Sequence, residues 1–161
     1  MSSATELALQ AMVAELRPDR ALILSRPKGA GLVVEGCYGL EPDHVLTGGP
    51  VSLTVFSLVF DKATPLWTAD ARRHPELKDS FSLQVSDILS VVSAPLFHPE
   101  EGVSAILYAD RKVRSAAFGH EDIQWLVSCA RQLEEALFGQ RGFHPPARAA
   151  SMAALSASRF V

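Results

Sequence analysis

Apolar residues near the start of the chain recur with helical spacing. Leu9, Met12, Val13 and Leu16 fall at i, i+3, i+4 and i+7, one stripe of an amphipathic helix. Ser3 with Glu6 three residues later fits a capping box, and Pro18 stops the helix. Ala21 to Leu24 is an apolar run too short for a helix and reads as a buried strand. Pro27, Gly29 and Gly31 concentrate turn chemistry. Leu32 to Tyr38, valine-rich and closed by Gly39, is the returning strand of a hairpin.

A loop with Pro42, Gly48, Gly49 and Pro50 leads to a second helical pattern over 51–61. Val51, Val55, Leu58 and Val59 share its face and Phe56 and Phe60 flank them, so it is expected to be covered on more than one side. Pro65 ends it, and Leu66 to Thr68 reads as a short strand. Residues 69–87 are polar and punctuated by His74, Pro75 and Asp79, long enough for a binding loop or lid. Val91–Phe97 and Val103–Ala109 make a second hairpin about a turn at 98–102. Pro95 cannot donate to a ladder and must mark a bulge, an edge or a strand end. From Gly119 onward, Ile123, Leu126, Val127, Ala130, Leu133 and Leu137 follow the 3.6-residue period, with Glu121 and Asp122 at the positive end of the helix dipole.

Strands thus pair with sequence neighbours, and no βαβ alternation occurs. That predicts an α+β fold, a central antiparallel sheet of about five to six strands with helices on its faces. Residues 1–138 form the domain. Residues 139–161, Ala/Ser-rich with Pro145-Pro146, read as a linker or tail, with a helix from Ala147 as an alternative.

Composition narrows the function classes. The net charge of the 161 residues is −3, but residues 1–138 carry −6, while the tail holds Arg141, Arg148 and Arg159 and no acid. No concentrated basic face marks a nucleic-acid partner. No basic stretch followed by an apolar run starts the chain, and no apolar run approaches 18 residues, so neither a signal peptide nor a membrane partner is expected. Cys37 and Cys129 give no disulfide framework, which suits a reducing, cytoplasmic compartment. Buried apolar side chains are the plain reading of both; a redox pair requires the fold to bring them together.

The five histidines do not pair with Cys, His or carboxylates at metal-ligand spacing, so no metal is expected. No Gly-x-Ser-x-Gly elbow is present. Gly29, Gly31, Gly36 and Gly39 lack the Lys-Ser/Thr ending of a phosphate loop and suit a hairpin. No catalytic residue is assigned and the chain is not expected to be an enzyme.

Five segments together resemble the GAF domain family, in the family's order. They are Val51-Ser52-Leu53-Thr54-Val55, Pro65-Leu66-Trp67-Thr68-Ala69-Asp70-Ala71, Ile88 to Leu96 (ILSVVSAPL), Gly102 to Asp110 (GVSAILYAD) and Phe118-Gly119-His120-Glu121-Asp122. The pattern is most similar to GAF domains of bacterial signalling proteins and transcription activators. The resemblance implies terminal helices on one sheet face and a pocket under loops and short helices on the other. It implies a sensory or regulatory role in signal transduction, and names no cofactor. Leu89 stands where many members carry Arg. The Asn-Lys-Phe-Asp-Glu signature of cyclic-nucleotide-binding members is missing, the cysteines lie in the wrong segments for bilin attachment, and the pocket cysteines of members that reduce free methionine sulfoxide are missing.

Within that frame Ser52, Phe56, Trp67, Asp70, Phe81, Ser82 and Ser93 are candidate ligand-pocket residues. Core packing is the alternative for the aromatics, and capping of residues 71–79 for Asp70. Related domains pair through their terminal helices, which makes Met12 and Trp125 candidate homodimer contacts. Three functions stay open: a sensor that binds a small molecule or dimerises to control an output domain or partner protein, a structural dimerisation module, and a small redox enzyme.

Overall fold

Ser2 begins the first helix one residue earlier than the Ser3–Glu6 pair suggests. In the computed structural model, which describes residues 2–45, 53–79, 87–112 and 115–148, its Oγ accepts the Thr5 N–H at 3.1 Å. Helix α1 (Ser3–Leu16) ends at Arg17, in the left-handed region at φ 47°, followed by Pro18. Strands β1 (Arg20–Ser25) and β2 (Val33–Tyr38) form the first hairpin. Gly39 closes it at φ 79°, where a Cβ would lie 2.2 Å from the Asp19 carbonyl oxygen, so only glycine fits. A short helix α2 (Pro42–Val45), helix α3 (Leu53–Lys62), strand β3 (Leu66–Thr68) and a 3₁₀ turn at Ala71–Arg73 follow. The second hairpin, β4 (Ile88–His98) and β5 (Gly102–Lys112), is longer at both ends than its apolar runs, and α4 (His120–Phe138) completes the domain.

The five strands run antiparallel in the order β2-β1-β5-β4-β3. Pro95 sits opposite Ile106 of β5, beyond the reach of β3, which pairs β4 only at Val91–Ser93. Among the described residues no strand pairs with that side of β4 at Pro95, which leaves room for a residue without an N–H, beside the register shift at Leu96/Phe97.

Period-2 alternation divides the apolar side chains between two cores. Ala21, Ile23, Val92, Ala94, Leu96, Leu107 and Ala109 meet α1 and α4 on the first face. Leu22, Leu24, Val91, Ile106 and Tyr108 meet Val55, Phe56, Val59 and Phe60 of α3 on the second. Leu53 stays exposed, so α3 buries one side rather than most of its circumference. Phe143 is buried in the first core, because residues 140–148 lie back against the helices. The remaining tail, 149–161, including most of the alternative helix from Ala147, lies outside the described residues.

Candidate functional site

On the second face, strand alternation brings Arg20, Leu22 and Leu24 of β1 opposite Ile106, Tyr108 and Asp110 of β5. The apolar part packs under α3, where Phe56 meets the Tyr108 ring edge-on at 5.3 Å. The polar end forms a buried network. Arg20 Nε donates to Asp110 Oδ1 at 3.0 Å, and the Tyr108 hydroxyl donates to Asp110 Oδ2 at 2.7 Å. Burial pushes the Asp110 carboxyl above its usual range, and Arg20 and the Tyr108 hydroxyl only partly offset this. The sequence reading missed this cluster. Its signal was parity: a basic residue opens one strand, and an acid sits two positions beyond a tyrosine in its antiparallel neighbour.

A large cavity lies on the first face among the described residues. It is a groove of about 700 Å³ between the start of α1, the end of α4 and the hairpin ends. Ile23, Leu96, Ala105 and Leu133 give it an apolar lining. Thr5 lines the α1 side, and Phe138, whose ring meets His98 edge-on at 4.8 Å, lines the α4 side. Arg26, Lys28, Glu100 and Glu101 supply charge, and the Ser25 hydroxyl donates to Glu35 Oε1 at 2.7 Å. Small-molecule sites have this size and this mixture of apolar surface and few polar anchors.

The described members of the proposed pocket, Phe56, Trp67, Asp70 and Ser93, do not converge. Phe56 and Ser93 share the second face, both buried, and the Ser93 hydroxyl donates to the Leu107 carbonyl at 2.8 Å. Trp67 is on the opposite face, because it pairs with Val92 and one step of parity turns it toward the terminal helices. There its Nε1 donates to the Phe118 carbonyl at 3.1 Å. Asp70 caps the 3₁₀ turn, accepting the Arg72 N–H at 3.0 Å and the Arg72 Nε at 2.9 Å. The hydrogen bonds from Arg72 hold its carboxyl below the usual range. Ser52, Phe81 and Ser82 lie outside the described residues. Met12 is fully buried and Trp125 is 3 % exposed. Trp125 does leave the sheet-facing stripe, but it is roofed by the chain beyond α4, and its Nε1 donates to the Pro146 carbonyl at 2.8 Å.

Cys37 belongs to the second core and Cys129 to the first, so the sheet separates the two thiols. Burial pushes the Cys129 thiol up to about 12, which cuts its thiolate fraction roughly a thousandfold. Cys37 is partly exposed, and burial and Glu41 raise its thiol as well. Titration of the native protein with a chromogenic disulfide is expected to label Cys37 alone, with Cys129 reacting only in denaturant. Rapid native labelling of both thiols, or an oxidant-induced intramolecular disulfide, contradicts this arrangement. Among the described residues no three His, Cys, Asp or Glu side chains converge on a metal position. Nor is any helix among them long and apolar enough to cross a membrane.

A family model described as GAF domain matches residues 2–137. A comparison with curated protein sequences gives no match. Among solved structures, the chain is similar to the photoproduct state of GAF3 from Slr1393 of Synechocystis sp. PCC6803. That match has TM-score 0.65 and 16 % identity, and covers 83 % of this chain and 90 % of that one. It is similar to the GAF domain of a phosphoenolpyruvate-protein phosphotransferase from Coxiella burnetii, at TM-score 0.60 and 21 % identity, over 83 % and 82 % of the two chains. It is also similar to the GAF domain/HD domain protein from Geobacter sulfurreducens, at TM-score 0.60 and 9 % identity, over 82 % and 90 %.

Proposed function

Because the chain belongs to the GAF domain family, we propose that it is a non-catalytic regulatory module of cytoplasmic signal transduction. It takes up a small amphipathic molecule, pairs into a homodimer through its terminal helices, or does both. The change passes to an output domain or partner protein, of the transcription-activator kind its sequence pattern resembles. The observation that supports the ligand is the groove of about 700 Å³ on the first face. It touches both terminal helices, through Thr5 of α1 and through Leu133, Leu137 and Phe138 of α4. A molecule seated there prefers one spacing of α1 and α4 over another, and only such a differential affinity shifts a population.

The second reading is a dimerisation module without a ligand. The side chains of Phe56 and Tyr108 packing the second face favour it.

A thermal-shift screen of small molecules, run on the native chain and on Ala105→Leu, separates them. A ligand of the native state at about 100 times its Kd adds about 2.7 kcal/mol of stability. Ala105→Leu grows a side chain from the lining and is expected to abolish that shift while keeping the ligand-free Tm within a few degrees. A shift that survives Ala105→Leu puts the ligand elsewhere, with the Arg20–Asp110–Tyr108 face the next to test. No shift from any ligand leaves the dimerisation module.

A further inference from the structure

The outer side of the first core is closed by a stretch that the domain pattern does not call for. Residues 140–148 follow the end of α4, and their contacts retrace that helix toward its start. Phe143 is buried in the first core. The Pro146 carbonyl then accepts the Trp125 Nε1–H. Arg148 reaches the first turn of α4, donating from Nη2 to Asp122 Oδ1 at 2.8 Å and from Nη1 to the Glu121 carbonyl at 3.4 Å. The same guanidinium pairs with the Glu15 carboxylate at 3.4 Å and donates to the Glu15 carbonyl in the last turn of α1, where a cation suits the helix dipole. Its centre lies 5.9 Å from the Trp125 ring. One arginine thus ties the end of α1 to the beginning of α4.

The distance covered calls for an extended path. From Gly139 back to Asp122, α4 rises about 25 Å at 1.5 Å per residue. Nine residues span that only if nearly extended, at about 3.3 Å each. Pro145 and Pro146 restrict themselves and the residues before them to such conformations.

We propose that residues 140–148 are a releasable clasp that occupies the α1/α4 seam in place of a second copy of this chain. The proposal rests on the pairing reading above. What lies beneath the clasp is a large aromatic, Trp125, of the kind interfaces favour. Leu7 of α1 and Leu137 and Phe138 of α4 are also apolar and exposed in the single chain. The latch itself is electrostatic and only partly buried, with the Arg148 side chain 31 % exposed, so it opens more readily than the cores around it.

The test uses the full chain and Arg148→Glu, which sets a third acid against Glu15 and Asp122. Arg148→Ala is the milder second variant, and circular dichroism confirms that each is folded. Sedimentation velocity from about 1 to about 100 µM reads the dimer constant, with a tenfold change equal to about 1.4 kcal/mol. Acrylamide quenching in a Trp67→Phe background reads the exposure of Trp125. Both variants are expected to expose Trp125 and to tighten dimerisation at least tenfold. The unaltered chain is expected to move the same way in about 1 M NaCl, where the Arg148 pairs are screened. Three results overturn the clasp. If Trp125 opens and every form stays monomeric, the pairing reading falls with it. If the chain dimerises equally well with Trp125 protected, pairing stands and the competition does not. If the variants leave Trp125 protected, Arg148 is no latch.

Discussion

Asp110→Ala is expected to lower the unfolding free energy by about 3–5 kcal/mol at neutral pH, the usual cost of removing one partner of a buried ion pair. Arg20 is 4 % exposed and loses its carboxylate, and the Tyr108 hydroxyl loses its acceptor. The loss does not mean that the pair stabilises the fold against an apolar alternative. Burial holds the Asp110 carboxyl above its ordinary range, so the folded protein binds that proton more tightly than the unfolded chain does. Its contribution to stability is complete below the unfolded pKa and is lost as pH rises through the folded one. Ionising the carboxyl in the folded state carries a desolvation cost that Arg20 and the Tyr108 hydroxyl reduce without cancelling. The double change Arg20→Met/Asp110→Leu is therefore expected to recover most of what Asp110→Ala loses. Urea unfolding of the three proteins measures this. A loss under about 1 kcal/mol for Asp110→Ala, or a double variant no better than the single one, contradicts a tightly buried pair.

The same pair shows which parts of the molecule were legible in the sequence. Period-2 alternation in β1 and β5 reveals the strands, and local hairpins reveal the antiparallel order, because both depend on residues close in sequence. That Arg20 stands opposite Asp110 depends on β1 pairing β5, ninety residues away, and on the register of that pairing. Trp67 shows the same limit within a three-residue strand. The apolar run Leu66–Thr68 identifies β3, but nothing in it says which side chain faces α4. One step of register exchanges Leu66 and Trp67 between the cores. For Trp125 the helical period was right and the surroundings were not. Its angle puts it outside the sheet-facing stripe, yet Pro146 covers it, and the Ala/Ser-rich composition of the tail carries no period that predicts such packing.

Trp67 moves from the second face, where the pocket was expected, to the first. The groove, Trp67, Trp125 and the 140–148 stretch all meet α1 or α4. The groove touches the start of α1 and the end of α4, whereas Arg148 joins the end of α1 to the start of α4. A ligand that spreads the helices at one end works against a latch at the other. Coupling between them then requires no path through the sheet, only that α1 and α4 move as stiff rods on a shared core.

Phe56→Ala is expected to cost about 3–5 kcal/mol, the range for an aromatic removed from a packed core. Phe56 is 1 % exposed and its partner Tyr108 is fully buried, so the vacated volume has few means of collapse. Tyr108 is also held by its hydroxyl, which donates to Asp110 and so keeps the ring from swinging into the space. A cavity lined by Val55, Val59, Ile106 and the Tyr108 ring is apolar and is expected to stay dry. Benzene or toluene is therefore expected to raise the Tm of Phe56→Ala by several degrees and to leave the parent unchanged on this face. Calorimetric scans with and without saturating benzene make the comparison. If the parent shows the same shift, abolished by the cavity-filling change Val59→Phe, the second face already holds an apolar cavity and the ligand belongs there. If Phe56→Ala costs under about 1 kcal/mol and benzene does nothing, α3 is loosely docked and readily collapses onto the sheet. Either result moves the weight of the sensor reading away from the groove. The expected pair, a large loss with specific rescue, marks the second face as a filled structural core and leaves the helix side as the place where a signal enters.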